Sequence, residues 1–106
     1  MDVRSTQRML EKIQGLAETA EHVGARTWEM AQREPRLSDA AKARLEPLYR
    51  THALRLMHLY CELGLQICAT IENEMDDEMA RGQLDLFRAN FTAMKARAEK
   101  ELDANS

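Results

Sequence analysis

Leu54-Arg55-Leu56-Met57-His58-Leu59-Tyr60-Cys61-Glu62-Leu63-Gly64-Leu65-Gln66-Ile67-Cys68 is the stretch that decides the fold. Its polar positions, Arg55, His58, Glu62 and Gln66, continue to Asn73 and form one narrow stripe on a helix that runs from about Leu48 to Glu74. Leu54, Leu56, Met57, Leu59, Leu63, Leu65, Ile67 and Ile71 take most of the remaining circumference. A helix that is apolar nearly all round must be covered nearly all round. Two further helices of one short chain can hardly do that, so the pattern predicts a homodimer or an obligate partner. Leu56, Leu59, Leu63, Ile67 and Ile71 are the candidate dimer or partner interface. Leu59, Leu63, Ile67 and Ile71 follow one another at steps of four, on one slowly turning face. The apolar run from Ala53 to Ile71 approaches the ~20 residues of a membrane span. Arg55, His58, Glu62 and Gln66 inside it would be costly in hydrocarbon, so the reading is a core helix and no membrane.

Upstream, Pro47 suits the first position of that helix. Ser38 looks like the N-cap of a short helix over Asp39-Ala40-Ala41-Lys42-Ala43-Arg44-Leu45, and a single helix kinked at Pro47 is the alternative. Pro35 ends a long first helix that spans about Ser5 to Arg33. The apolar seam of this helix reads Met9, Ile13, Leu16, Ala20, Val23, Thr27 and Met30, flanked by Leu10, Ala17, Gly24 and Ala31. Those flanking residues are mostly small, which makes Gly24 a packing position rather than a break. Downstream, a last helix starts near Asp76 and tolerates Gly82, or starts near Gln83. Its seam is Leu84, Phe87, Phe91, Met94, Ala98 and Leu102, and residues from Asp103 to Ser106 are expected to fray. The fold class is therefore all-α: an antiparallel bundle of three long helices plus one short helix, one domain over 1–106, completed by homodimerisation.

The 106 residues carry 15 basic and 18 acidic side chains, a net charge of −3, without the basic footprint of a nucleic-acid binder. The excess acid lies in residues 72–106, where Glu72-Asn73-Glu74-Met75-Asp76-Asp77-Glu78 reads as a solvated helix start, a surface for a basic partner, or a mimic of nucleic acid. The polar opening Met1-Asp2-Val3-Arg4-Ser5 has no apolar secretory run, and two Cys make no disulfide framework, so the expectation is a cytoplasmic protein. His58 and Glu62 share a helix face with Cys61 nearby, but a zinc site needs three or four protein ligands, and no metal or cofactor is expected. A Cys61–His58 nucleophile pair would lack an oxyanion loop, so no catalysis is expected either. Cys61 and Cys68 stand two turns apart, ~10.5 Å along one helix, too far to bridge each other. His22 and His52 sit within helical patterns as packing or surface residues. Seven Met suit a soft core, or a surface that re-packs against a partner.

A small acidic helical chain with the over-apolar segment Leu54 to Cys68 resembles the QslA-type antiactivators of quorum sensing. The resemblance covers the whole chain in length and helix layout, and no family residue is carried over by a motif. It implies a dimer that binds the ligand-binding domain of a LuxR-type transcription regulator, blocks the regulator's dimerisation and so prevents DNA binding, with no direct nucleic-acid contact. Two rivals share the size, charge and helicity: a secretion chaperone that binds an export substrate, and a structural protein that only self-assembles.

Overall fold

The structure, a computed structural model, describes residues 3–104. The residues at 1–2 and 105–106 lie outside the described residues; of the tail expected to fray, Asp103 and Ala104 instead continue the last helix, and the rest falls on 105–106. Three long helices, α1 (Val3–Gln32), α2 (Asp39–Ile71) and α3 (Glu78–Ala104), pack antiparallel, with α2 in the middle and α1 and α3 as its flanks. A single 3-10 turn, Glu72–Glu74, follows α2. Among the described residues no helix is long and apolar enough to cross a membrane.

α1 stops where Pro35 requires, and the Lys42 ammonium donates to the Gln32 carbonyl at 2.7 Å, satisfying one of its open C-terminal acceptors. Ser38 caps the next helix as expected, its Oγ accepting from the Ala41 N–H at 3.1 Å. The separate short helix does not exist: Asp39–Ile71 is one helix with Pro47 inside it. Continuity wins because residues 39–46 form two turns whose Leu45 is already half-buried, so the segment gains more by staying in register than by breaking. α3 begins at Glu78 with Gly82 inside it, because the Asp77 carboxylate accepts the Met79 N–H at 3.1 Å and starts the helix ahead of the glycine.

The core runs along one side of α2. Leu54, Met57, Cys61, Gly64, Cys68 and Ile71 are buried there, at steps alternating three and four. α3 answers with Ala80, Leu84, Phe91 and Ala98. α1 answers with Thr6, Leu10, Ile13 and Ala17, continued by the half-buried Ala20, Gly24, Thr27 and Ala31. This corrects the seam expected for α1. The inward face is the small-residue phase, while Leu16, Val23 and Met30 point outward. Small residues let α1 lie close against α2, which presents a small side chain of its own, Ala53, at the nearest approach. A Cβ placed on Gly24 would stand 2.6 Å from the Ala53 Cβ, so only glycine lets the two helices come this near.

The body is long and flat, 58 × 25 × 15 Å, with a radius of gyration of 17.3 Å. A compact domain of this length would have about 13 Å. α1 and α3 also meet each other, through Asn90 to Gln14 (3.3 Å) and Arg97 to Glu21 (2.6 Å). On the side of α2 turned away from this contact, Leu56, Leu59 and Leu63 stay exposed.

Candidate interaction surface

α2 has two lateral boundaries with different chemistry. Along the α3 edge lies the polar stripe. His58 Nε2 and a Glu99 carboxylate oxygen are 2.9 Å apart, while Glu62 stands 3.6 Å from His58 Nδ1 and 3.8 Å from the Lys95 ammonium. Lys95 also reaches Glu99 at 4.0 Å. The hydrogen bond from His58 and the nearby Lys95 hold the Glu99 carboxyl below the usual carboxylate range. A depressed carboxyl stabilises the fold above its unfolded pKa, and that contribution is lost as the pH falls through the folded value. Among the described residues no group of three or more His, Cys, Asp or Glu side chains could hold a metal ion.

The other boundary is apolar. Val23 of α1 and Leu48 and Leu56 of α2 line one open groove of about 380 Å³, floored by Ala20, Gly24 and Ala53. Leu59 and Leu63 continue it along α2, at 58% and 44% exposure. Leu16 and Met30 extend it along α1, each one heptad from the 53%-exposed Val23. Among the described residues, seven of the nine large hydrophobic residues that are exposed lie on these two helices; Met79 and Leu86 of α3 are the others. His52 is exposed and lines the same groove, Arg55 stands exposed beside it, and His22 is exposed on α1.

Of the five residues expected at the interface, Leu56, Leu59 and Leu63 lie on this open face together. Ile71 does not: it is 6% exposed and belongs to the core, and Ile67 packs against that core half-buried. The cause is rotation. Steps of four advance ~40° around a helix, so a stripe that starts outward at Leu59 has turned inward by Ile71. The sequence reading missed Leu16, Val23, Met30 and Leu48. The signal for the first three was present as an apolar heptad phase offset from the small-residue one.

Cys61 and Cys68 are free and fully buried. Burial pushes both thiols up; Arg97 and Lys95 oppose the shift at Cys61, as Arg88 does at Cys68. A protonated, buried thiol is a poor nucleophile. An aromatic disulfide reagent at pH 7 should therefore label neither thiol in the folded chain, and should label both once urea unfolds it. Rapid labelling of the native chain would show α2 opening on its own. A separate notch of about 270 Å³ lies between Trp28 and Tyr49, but Arg97 and Arg50 already engage two of its rim carboxylates, Glu21 and Glu46.

No family model, curated protein or solved structure matches the chain.

Proposed function

We propose that this chain is a non-enzymatic antiactivator. It binds the ligand-binding domain of a LuxR-type regulator through the open face of α2, occupies the regulator's own dimerisation surface and so keeps the regulator off DNA. The free chain completes its fold as a homodimer. One observation supports the reading above the others: an exposed apolar stripe, Leu56-Leu59-Leu63 with Leu48 and Val23 beside it, on the shared face of α1 and α2. Contiguous apolar surface of this kind marks a protein interaction site. The identity of the partner comes from the resemblance of the Leu54–Cys68 segment.

A gel shift tests it. A purified LuxR-type regulator bound to its promoter is titrated with this protein at low and high salt. Release of the DNA is expected at both, because an apolar contact is screened little. Leu59→Glu should abolish the release, since it buries an unpaired charge in the contact. Charge reversal at Asp76 and Asp77, remote from the stripe, should leave it unchanged. DNA binding that survives excess protein rejects the mechanism. Release that disappears at high salt would favour the acidic 72–78 segment as a nucleic-acid mimic instead.

A further inference from the structure

We infer that the open face of α1 and α2 takes an amphipathic helix whose apolar stripe is flanked on both edges by acidic residues. This rests on the reading of the face as the partner surface proposed above, and it names the chemistry of what the face accepts.

The charges around the face are sorted by sign. Lys12 and Arg26 of α1 stand four residues before Leu16 and Met30, and Arg44 and Arg55 of α2 stand four residues before Leu48 and Leu59. A spacing of four keeps each cation on the same side of its helix as the apolar residue it precedes. All four cations are exposed. Among the described residues none of the four has an ion-pair partner. The acids point elsewhere. Glu11, Glu18, Glu21 and Glu29 lie a quarter turn or more round α1 from Leu16, Val23 and Met30, at ~100° per residue. Glu21 reaches α3, where it pairs with Arg97. On α2, Glu46 is paired with Arg50 at the Trp28 notch, and Glu62 is held at the α3 edge by Lys95 and His58. A chain of net charge −3 thus presents an apolar trough between two positive edges.

Both edges can be engaged at once. Gly24 meets Ala53, which sets the antiparallel register and places Arg26 level with Thr51, between Arg44 and Arg55. The floor between the edges is made of small residues, and the groove above it is about 380 Å³. The stripe from Leu48 to Leu63 runs for about four turns, ~22 Å. A helix of that length seats its apolar ridge in the trough. Carboxylates along its flanks then meet the cations at the rim, where charge sets encounter rate and selectivity more than affinity. Other occupants fit less well. A bilayer receives an apolar face that sinks into it, whereas this floor is recessed between two helices. Nucleic acid would leave the leucines uncovered. A second copy brings the same four cations to the rim, so an acidic helix replaces like-charge contacts with ion pairs and displaces it.

Fluorescence anisotropy with two labelled four-turn helical peptides is the test. Both carry the same leucine stripe; glutamates flank it in one and lysines in the other. At about 50 mM salt the glutamate peptide should bind at least about tenfold tighter. At about 500 mM, where the Debye length is ~4 Å, the two affinities should draw together. The net charge of −3 alone would favour the lysine peptide, so the order reports the local rim. The double variant Arg26→Glu with Arg55→Glu changes exposed side chains only, and should keep the helical circular dichroism while reversing the order. Lys100→Glu, exposed on α3, should leave the order unchanged. Equal binding of the two peptides at low salt overturns the inference, as does a preference that survives the double variant. So does a chain that binds neither peptide: association with anionic phosphatidylglycerol vesicles would then make the occupant a bilayer, and a dimer in sedimentation would make it a second copy. Failure of the wild type to release a LuxR-type regulator from DNA would reject the antiactivator reading and leave the peptide preference standing.

Discussion

Phe91→Ala should cost about 3–5 kcal/mol of stability, a large part of the 5–15 kcal/mol that holds a small domain together. Phe91 is 0% exposed, and the far end of its ring presses on Gly64. A Cβ on Gly64 would meet two ring carbons at 2.5 Å and a third at 2.7 Å. The ring and the glycine are thus one packing unit, joining α3 to the middle of α2. Gly64→Ala alone should destabilise, because an overpacked core costs about 1–3 kcal/mol against a gain of about 1 kcal/mol in helix propensity. Combined with Phe91→Leu, which vacates the far end of the ring, the same Gly64→Ala should become neutral or stabilising. Urea denaturation of the four chains, at one fixed protein concentration because association also contributes, measures the coupling. An equal penalty for Gly64→Ala in both backgrounds would mean that the ring and the glycine do not touch.

Gly64 also marks what the sequence made legible. Three long helices, the stop at Pro35, the Ser38 cap and the packing role of Gly24 followed from local rules that hold whatever the tertiary partner. The over-apolar character of α2 was equally plain, and its unburied residues Leu56, Leu59 and Leu63 are where it leaves the core. Which of two overlapping heptad phases faces inward was not legible. In α1 both phases share Ile13, Ala20 and Thr27, and hydropathy favours the set with Leu16, Val23 and Met30. The fold chooses the smaller set, Leu10, Ala17, Gly24 and Ala31, because α1 approaches α2 so closely, Gly24 against Ala53, that larger side chains have no room. That choice depends on the partner helix, and no window of α1 contains it. The salt-linked edge was hidden for the same reason. His58 and Glu62 were visible as neighbours one turn apart, while Lys95 and Glu99, which complete the cluster, come from a helix more than thirty residues away.

Pro47→Ala should stabilise the protein, against the usual sign of a substitution. Pro47 occupies the ninth position of a continuous 33-residue helix. There it has no N–H to donate to the Ala43 carbonyl, and its ring crowds that carbonyl. A proline in a helix interior costs about 3 kcal/mol relative to alanine, of which its stiffening of the unfolded chain returns roughly 0.4–1 kcal/mol. Pro47 is exposed, so alanine forfeits no packing. A net gain of about 2 kcal/mol, or on the order of 10 °C in Tm, follows if the first two turns of α2 are in register with the rest. The opposite arrangement gives the opposite sign. Were residues 39–45 a separate short helix, Pro47 would stand at the first position of its successor, where its missing N–H is harmless and its fixed φ is favourable. Alanine would then gain nothing and lose the stiffening, so Tm would fall. A thermal scan of the two chains at equal concentration decides between them. The gain should also tighten self-association, because Leu48 at the rim of the open groove is the next residue along, and a helix held firmly through Pro47 presents it with less freedom to lose. A stabilised variant with unchanged dimer affinity would place Leu48 outside the contact.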